Sequence, residues 1–550
     1  MNPFADEEDQ AILPGITRYD AENRSHGMGR ADLAWLLIVS SIGIAWTAFH
    51  FDRGLDVFDA GLFATEAERV LDGGVYGKDF IAPYGPGRYY FIALLFSLFG
   101  CSLKVQAFLW LALRGIVAGL VFMTGRHFFP RILALLPALV VIAAPGALHK
   151  SFFQMTALLN ILCYLHYRKD PSLLSCGFAG LIIAAGSLFR VDVGFFGSVS
   201  FLLLLCIEPL WCSGGVSMGT LSKRMAAFVT GAAFLLLPVF FYFLARADVG
   251  EIFQAEWHRT LNVSGFAGYL HVPDFSEAFD AGYPASAKLF LTALMLRTAP
   301  WVYALLAAIV LVRRVRGDDR DAGLAALAVV VFGVPLLNQV RITPTFNHLL
   351  HAIPLVLVAW TMSFFLLRHL LPSGRRVRAA GAAVFIAMPL AVPVYYNLAH
   401  TQGLLPGSFF SRSEFTEPIP LERAGLYETP EHARKLERIV HYIQSTTQPG
   451  EPVFTGPFIP VLNFLAARPP AVRFLEPFYY FRSEFLQQKV IQDLMRSRPR
   501  LIIIDPEAQV GRQSLEADAP LVFDFIKQHY RMLSRPGSAS GPYTLWLLNE

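Results

Sequence analysis

Charged residues and cysteines are both scarce in this chain. Only 16% of its 550 residues are charged, against about 25% in typical soluble proteins, so a water-soluble fold cannot be its main component. Its five cysteines have no metal-ligand spacing, and four of them fall in or beside apolar stretches. No cysteine follows Cys212, so an exported C-terminal region would be stabilised by its own core and not by disulfides.

Several signals that would assign a function are also missing. Residues 1–31 are polar and acidic and contain no apolar segment followed by a cleavage site, so we predict no removable signal peptide. The sequence has no Walker loop, dinucleotide fingerprint, zincin motif or nucleophile elbow, so use of a nucleotide sugar in the cytoplasm is unsupported. The net charge of +4 is small for this length, and no nucleic-acid partner is predicted from it.

Long apolar stretches dominate the chain instead, with 54% hydrophobic residues and a mean hydropathy of +0.46. Since a helix needs roughly 20 apolar residues to cross a bilayer, the sequence predicts an α-helical polytopic membrane protein with about eleven spans. The spans are expected near residues 32–51, 105–124, 132–148, 152–167, 173–189, 193–211, 225–245, 288–312, 321–339, 348–369 and 379–397.

Short cationic clusters between these stretches predict the orientation. The clusters are Arg18/Arg24/Arg30, Arg126/Arg131, Arg168/Lys169, Lys223/Arg224, Arg313/Arg314/Arg316/Arg320 and Arg368/Arg375/Arg376/Arg378. All of them fall on one side if the short apolar run 89–100 lies at the membrane interface and does not cross. The positive-inside rule then predicts a cytoplasmic tail at 1–31, a transmembrane domain at 32–397 with an outward loop at 52–104, and an extracytoplasmic domain at 398–550.

The C-terminal region changes character and predicts a small α/β domain. Strand-like runs occur at Pro452–Thr455 and Leu501–Ile504, and helical patterns occur at Glu431–Ile443, Pro460–Ala467 and Phe485–Met495. About 150 residues are enough to bury a separate core.

The outward loop 52–104 is acidic, and its residues 58–100 predict two short helices lying along the membrane surface. Asp59 is a plausible N-cap of the first helix, which Gly73 and Gly74 end. Asp59 and Glu66 are seven residues apart and therefore share one helical face, where carboxylates suit general-base chemistry or a divalent cation. The alternative is that such acids form a solvated helix face, and for Glu66, Glu68 and Asp72 this alternative is favoured.

Three elements of this loop carry a resemblance to a known family. They are Asp59-Ala60-Gly61, then Gly73-Gly74-Val75-Tyr76-Gly77-Lys78-Asp79-Phe80, then Tyr84-Gly85-Pro86-Gly87-Arg88-Tyr89-Tyr90 with Leu98-Phe99-Gly100. In this order they resemble the GT-C superfamily of membrane glycosyltransferases, in particular its lipopolysaccharide-modifying and protein-mannosylating branch. Two positions depart from the family pattern: Ala60 stands where a second acid is frequent, which weakens a metal site built on adjacent acids, and Gly85 replaces the first proline of a pair.

The resemblance implies a GT-C fold with horizontal helices in the first outward loop, located in a bacterial inner membrane. It implies sugar transfer from a polyprenyl-phosphate donor to a lipid or cell-envelope glycan acceptor at the periplasmic face. In this reaction Asp59 would be the base, and membrane lipids would contact the protein. If Asp59 instead holds a metal, a divalent cation such as Mg or Mn is the candidate cofactor. Other candidate substrate contacts are Glu66, Asp79, Tyr84, Arg88, Arg190 and Asp192.

Two charged sites on the outward side have alternative interpretations. Arg341 opposes the positive-inside trend and, with His348, is a candidate for binding the donor phosphate; the alternative is that Arg341 snorkels to lipid headgroups and His348 satisfies a backbone carbonyl. Arg190 and Asp192 are expected first to pair with each other, with a substrate role second.

Two functions of other classes remain open from the sequence. A transporter would also contain many spans and a few intramembrane charges, although no internal repeat is visible and the C-terminal region is bulky. A non-catalytic scaffold that binds envelope glycan is the second alternative.

Overall fold

The computed structural model describes residues 29–211, 216–266, 285–316, 320–342, 346–367, 414–475, 483–506, 514–534 and 543–549, with positions 274 and 276 and several between 381 and 396. Before residue 400, these residues are helical apart from turns and isolated bridges. In chain order the helices are α1 (Arg30–Ala48), α2 (Asp59–Leu71), α3 (Pro86–Phe99), α4 (Leu103–Arg126), α5 (Arg131–Ala143), α6 (Ser151–Lys169), α7 (Leu173–Phe189), α8 (Val191–Trp211), α9 (Met218–Arg246), α10 (Val249–Phe266), α11 (Ala285–Val315), α12 (Arg320–Gly333), α13 (Leu337–Ile342) and α14 (Phe346–Leu367).

Many of these helices are apolar enough to cross a membrane, which confirms the prediction of a helical membrane protein. Among the described residues, α1, α4, α8, α9, α11 and α14 reach the length and hydropathy of a span, and α5, α7 and α12 are shorter apolar helices. The number eleven stays a prediction. Small residues let neighbouring helices approach closely: a Cβ at Gly231 of α9 would lie 1.9 Å from the carbonyl oxygen of Gly177 in α7.

Ion pairs bring several of the predicted cationic clusters to one end of the helix bundle, which we call the basic end. There Arg126 and Arg131 both contact Asp32 near the start of α1, at 3.0 and 2.9 Å. Arg168 binds Glu208 at 2.6 Å and Asp321 at 2.7 Å. Residues 49–102 occupy the opposite end, which we call the loop end. The predicted orientation of the two ends in the membrane stays a prediction.

The C-terminal region forms the predicted α/β structure. Its elements are β1 (Glu417–Pro418), β2 (Tyr427–Glu428), α15 (Pro430–Thr446), β3 (Phe454–Gly456), α16 (Val461–Ala466), α17 (Glu484–Ser497), β4 (Leu501–Ile504), α18 (Leu515–Asp518), α19 (Pro520–His529), β5 (Tyr530–Ser534) and β6 (Thr544–Leu548). Strands β3 and β4 are parallel, β4 and β6 are antiparallel, and β5 pairs with β6 at the edge. Sequence reasoning found β3 and β4 but missed β5 and β6.

The apolar core of the C-terminal region is continuous with that of the first loop. One continuous apolar cluster contains Phe63 of α2, Tyr89 of α3, Trp110 of α4 and Phe464 of α16. The approach of α2 to α16 is so close that a Cβ at Gly61 would lie 2.3 Å from the backbone nitrogen of Val461. The first loop and the C-terminal region therefore fold as one packed layer on the loop end of the bundle.

Candidate active site

Asp56 and Asp59 stand together at the start of α2. The carboxylate Oδ1 of Asp56 accepts a 2.9 Å hydrogen bond from the backbone N–H of Asp59, so Asp56 satisfies one of the free donors at the helix N-terminus. The prediction that Asp59 is the N-cap is wrong, because Asp59 is the first helical residue. The Asp59 side chain is thereby free of the capping role.

His149 completes a cluster with the two carboxylates. It lies in the short 3-10 turn Leu148–Lys150 before α6, and its Nε2 is 3.3 Å from Asp59 Oδ2 while its Nδ1 is 3.6 Å from Asp56 Oδ2. Asp56, Asp59 and His149 each offer a ligand atom within 4.8 Å of the others. The imidazole is buried, and its Nε2 has no hydrogen-bond partner among the described residues.

Burial and neighbouring charges set the protonation of this cluster. Burial, and then the charge of Asp59, raises the pKa of Asp56 to about 7. Burial also raises the pKa of Asp59, but the charges of Lys150 and Arg88 oppose that rise. The pKa of His149 is well below its usual range because of burial and then the charge of Lys150. At neutral pH the cluster therefore holds a neutral imidazole beside two carboxyl groups whose pKa values are both raised.

Three cations surround the ring of Tyr84 next to this cluster. The guanidinium carbons of Arg88 and Arg190 lie 4.1 and 5.3 Å from the ring centroid, and Lys150 Nζ donates a 2.6 Å hydrogen bond to the Tyr84 hydroxyl. Arg190 is held by a bidentate pair of hydrogen bonds to Asp192 at 2.9 and 2.6 Å. The expected Arg190–Asp192 pairing is present, and it presents a third positive charge to Tyr84.

Arg88 is the least satisfied of these cations. Its side chain is 0% exposed, and its three guanidinium nitrogens make no hydrogen bond to any residue that the structure describes. Its guanidinium carbon lies within 5.0 Å of the ring centroids of Phe63, Tyr84 and Phe152. Burial lowers the pKa of Arg88 to about 10. A buried charge without a hydrogen-bonded counter-charge is costly, so this position favours an incoming anion.

Glycine at two positions brings the cations together. A Cβ at Gly85 would lie 2.2 Å from the carbonyl oxygen of Leu188, and a Cβ at Gly87 would lie 2.9 Å from the Leu188 side chain. The start of α3 can therefore touch the end of α7, just before Arg190. This contact explains why glycine, and not a bulkier residue, stands at Gly85, where the family pattern has proline.

The structure places the other predicted site residues elsewhere. Glu66 is not on a solvated face: it is fully buried, 3.5 Å from Arg69, and burial raises its pKa to about 7. Asp79 is exposed and accepts a 2.8 Å hydrogen bond from the backbone N–H of Val75. Neither residue belongs to the cluster of Asp56, Asp59 and His149. The carboxylates of Asp59 and Glu66 therefore do not form the pair that their spacing on one helical face predicted.

The two residues predicted to bind phosphate, His348 and Arg341, lie in different surroundings. His348 lies near enough to His149 to contribute to the lowering of its pKa, and its ring centroid is 5.4 Å from that of His351. Arg341 is exposed, and its Nε donates a 3.1 Å hydrogen bond to Asn338 of the same short helix α13. Within the described residues, the structure gives Arg341 no contact with the cations around Tyr84.

Sequence reasoning missed three residues that the fold brings to Asp59, namely Asp56, His149 and Lys150. The one signal that could have marked His149 and Lys150 is that they are polar residues in a short turn between two apolar helices. Nothing in their spacing connects them to the first loop. Arg114 stabilises the turn that carries His149 and Lys150, because its Nη2 donates a 2.9 Å hydrogen bond to the Ala147 carbonyl.

A cleft opens on the Asp56 side of the cluster. Its lining comes from the first loop, from α4, from the tip before α6 and from the C-terminal region: Phe51, Arg53, Gly54, Asp56, Ala60, Leu103, Gln106, Ala107, Trp110, Ala147, Leu148, His149 and Leu426. The cleft is mostly apolar with a few polar groups, as is usual for small-molecule sites.

The cluster fits a divalent cation. Two carboxylates and one imidazole supply three ligand atoms, and the Nε2 of His149 makes no hydrogen bond to a described residue that a metal would have to replace. A mixed oxygen and nitrogen set suits Mn²⁺ or Zn²⁺ better than Mg²⁺, which prefers oxygen ligands. Asp56, and not a residue adjacent to Asp59, provides the second acid that the sequence lacked at Ala60.

Sequence comparisons and structural comparisons differ in outcome. No protein-family model matches the chain, and no curated protein matches it. Among solved structures, the archaeal oligosaccharyltransferase AglB from Archaeoglobus fulgidus, in complex with an inhibitory peptide and a dolichol-phosphate, is similar with a TM-score of 0.49 and 12% identity, over 95% of this chain and 74% of AglB.

The chain is also similar to ArnT from Cupriavidus metallidurans. The apo structure matches with a TM-score of 0.48 and 15% identity over 94% of this chain and 98% of ArnT. The structure of ArnT bound to undecaprenyl phosphate matches with a TM-score of 0.47 and 12% identity over 95% and 98% of the two chains.

Proposed function

We propose that this chain is a GT-C type membrane glycosyltransferase that transfers a sugar from a polyprenyl-phosphate donor to a hydroxyl of a lipid or cell-envelope glycan. The orientation predicted from the cationic clusters puts the reaction at the periplasmic face of a bacterial inner membrane. The observation that carries the proposal is the buried guanidinium of Arg88, which has no hydrogen-bonded counter-charge and lies beside two further cations and a carboxylate cluster.

The cations around Tyr84 suit a lipid phosphate. Arginine binds phosphate oxygens in a planar, two-point geometry, and lysine adds a point charge. Lys150 and Arg190 lie with Arg88 around one ring, at the loop end of an apolar bundle where a polyprenyl chain could remain in the bilayer. In this proposal Arg88, Lys150 and Arg190 bind the donor phosphate, His348 stands beside them, and Arg341 is a more distant candidate.

Asp59 is the proposed base. It accepts the proton of the acceptor hydroxyl as that oxygen forms a bond to the anomeric carbon. The bond from the anomeric carbon to the phosphate oxygen breaks, and its electron pair leaves with the phosphate, where the three cations offset the growing negative charge. Attack opposite the leaving group inverts the anomeric configuration.

Asp56 and His149 support Asp59 in this scheme. Asp56 holds the start of α2 through its hydrogen bond to the Asp59 backbone, and the neutral imidazole of His149 lies 3.3 Å from the Asp59 carboxylate. When bound to these three side chains, a divalent cation would supply positive charge close to the donor phosphate. The arrangement thus accommodates Asp59 as a base or as a ligand, and the predictions below separate the two.

The test is sugar transfer by the purified full-length protein in lipid, with a panel of polyprenyl-phosphate sugars and candidate acceptors. We expect native transfer from at least one donor and a loss of about 10²- to 10⁴-fold in kcat for Asp59→Asn, the range typical of general acid–base catalysis. Asp72→Asn is the matched control, because Asp72 is an exposed carboxylate at the other end of the same helix.

Two other results would change the proposal in different ways. Transfer by a folded Asp59→Asn variant at the native rate would keep the enzyme class and remove Asp59 from the chemistry. Absence of transfer from every donor by a folded native chain would contradict the proposal and favour a transporter or a glycan-binding scaffold.

A further inference from the structure

Gln106 is a buried amide with unused hydrogen-bonding capacity. It lies in the first turn of α4 at 1% exposure, and neither its Nε2 nor its Oε1 has a hydrogen-bond partner among the described residues. The side chain forms part of the wall of the cleft beside Asp56. A buried primary amide that binds nothing is costly, so its position in the wall indicates a ligand that both donates and accepts hydrogen bonds.

Aromatic rings line the same cleft. Trp110 is four residues after Gln106 and therefore on the same face of α4, and Phe51 lines the cleft as well. The Trp110 ring is fixed by edge contacts with Phe63 and Phe152, at centroid distances of 5.9 and 5.7 Å. A rigid indole next to an amide suits a molecule with an apolar face and a polar edge.

The cleft adjoins the reacting groups. Asp56 and His149 line it, and both contact Asp59. Leu426 from the C-terminal region closes another side. A molecule in the cleft would therefore lie between the C-terminal region and the carboxylate cluster.

We propose that this cleft is a sugar-binding subsite in which the Gln106 amide hydrogen-bonds a ring hydroxyl and Trp110 packs against the CH face of the ring. The inference rests on the proposed glycosyl transfer and names the chemistry that the site recognises, a polyhydroxylated ring. Two sources have this chemistry, the sugar of the donor and a sugar of the acceptor. Gln106 is a specificity-determining residue in either case.

The experiment is a double-mutant cycle between the protein and its substrate. Transfer by the full-length protein in lipid is measured for the native chain and for Gln106→Leu, with the accepted donor and acceptor and with analogues that each lack one ring hydroxyl. We expect Gln106→Leu to lower kcat/KM about 10-fold with the intact substrates, as loss of one hydrogen bond does. One deoxy analogue should then show no further loss with Gln106→Leu, because its missing hydroxyl is the partner of the amide.

The two series of analogues, deoxy donors and deoxy acceptors, identify which sugar occupies the cleft. Coupling to a deoxy donor places the donor sugar in the cleft, and coupling to a deoxy acceptor places the acceptor there. Gln487→Leu is the matched control: Gln487 is another buried amide, but it accepts from the backbone N–H of Leu521 in the C-terminal region. It should keep the native pattern of discrimination. Gln106→Met serves as a second variant, and neither replacement of Gln106 should lower Tm, since an apolar side chain leaves no buried amide unpaired.

The negative outcomes differ from one another. Native discrimination among all deoxy analogues by a folded, active Gln106→Leu variant would overturn the sugar subsite and leave the proposed transfer intact. Absence of transfer by the native chain from every donor would overturn the proposed function, and the subsite with it.

Discussion

The backbone N–H of Leu55 donates a 2.7 Å hydrogen bond to the carboxylate of Glu428. This contact joins the C-terminal region to the residue just before Asp56. Two backbone hydrogen bonds, from Tyr427 to Asp52 and from Gly54 to Tyr427, both at 2.8 Å, extend the same junction. The C-terminal region therefore holds the chain at the point where it enters α2 and its two carboxylates.

Glu428 is expected to position the carboxylate cluster. Glu428→Ala leaves the Leu55 N–H unpaired at a buried junction, which costs about 1–3 kcal/mol, and it should lower kcat about 10-fold while donor KM stays near the native value. Glu428→Gln retains an oxygen acceptor and should recover most of the kcat. Steady-state kinetics on both variants provide the check. Equal losses of kcat in the two variants, or a loss that follows Tm alone, would contradict a positioning role.

The pH dependence of transfer should report Asp59. Because a base must be ionised and burial raises the pKa of Asp59 from its ordinary 3.8, log kcat/KM should fall on acidification at a pH above 3.8. The charge of Lys150 lowers this pKa, so Lys150→Met should move the acid limb to higher pH. A pH profile of kcat/KM from 4 to 9, with the native chain as reference, tests both statements. An acid limb that stays in place in Lys150→Met would refute the assignment to Asp59.

Arg88 and Arg341 offer a direct comparison of two phosphate sites. Arg88→Met should not lower Tm, because it replaces a buried charge without hydrogen-bonded partners by an apolar side chain of similar length. It should lower kcat/KM about 10²- to 10³-fold, as loss of a donor to a developing anion does. Arg341→Met should have a smaller effect, since Arg341 is exposed and bound to Asn338. A larger loss of kcat/KM in Arg341→Met than in Arg88→Met would favour Arg341 with His348, the site predicted from the sequence, as the phosphate-binding site.

Glu66 should make stability depend on pH. Burial raises its pKa from 4.5 to about 7, so the folded state favours the protonated form; its stabilising effect is complete below pH 4.5 and is lost as the pH rises through 7. The loss is on the order of 3 kcal/mol. Glu66→Gln should therefore raise Tm at pH 8 and change it little at pH 4.5. Thermal unfolding of this variant and of Glu431→Gln, which alters an exposed side chain, gives the measurement; a rise that is equal at both pH values would exclude ionisation of Glu66 as the cause.

A divalent cation should stabilise the native chain if the cluster of Asp56, Asp59 and His149 binds one. After chelator treatment, added Mn²⁺ should raise Tm in a concentration-dependent way, and His149→Ala should abolish the rise because it removes one of three ligands. Asp72→Ala should keep it. Full transfer activity in the presence of chelator, with no effect of Mn²⁺ on Tm, would leave Asp59 acting as a base without a metal.

Local patterns in the sequence correctly predicted much of the fold. The apolar runs marked the helices of the bundle, the glycines at 73 and 74 lie directly after the C-cap of α2, and Pro86 stands at the first position of α3. The strands β3 and β4 were also found from short apolar runs. Each of these features depends on residues close together along the chain, where periodicity and capping act directly.

The candidate site was only partly predictable for the opposite reason. Asp59 and Arg88 could be chosen from the loop motifs, but Glu66 could not be known to turn into the core rather than join Asp59. Helical spacing gives the face of a side chain and does not say what packs against that face.

The sequence by itself determined that this is a helical membrane protein with an acidic first loop and a C-terminal α/β region, because apolar periodicity and turn residues dictate those elements locally. Only the tertiary structure decided which charges meet. It brings His149 and Lys150 to Asp59, and Arg190 to Arg88, through the close contact of Gly85 and Gly87 with Leu188. It also places the C-terminal region against α2, because complementary packing between residues far apart in the chain sets those distances.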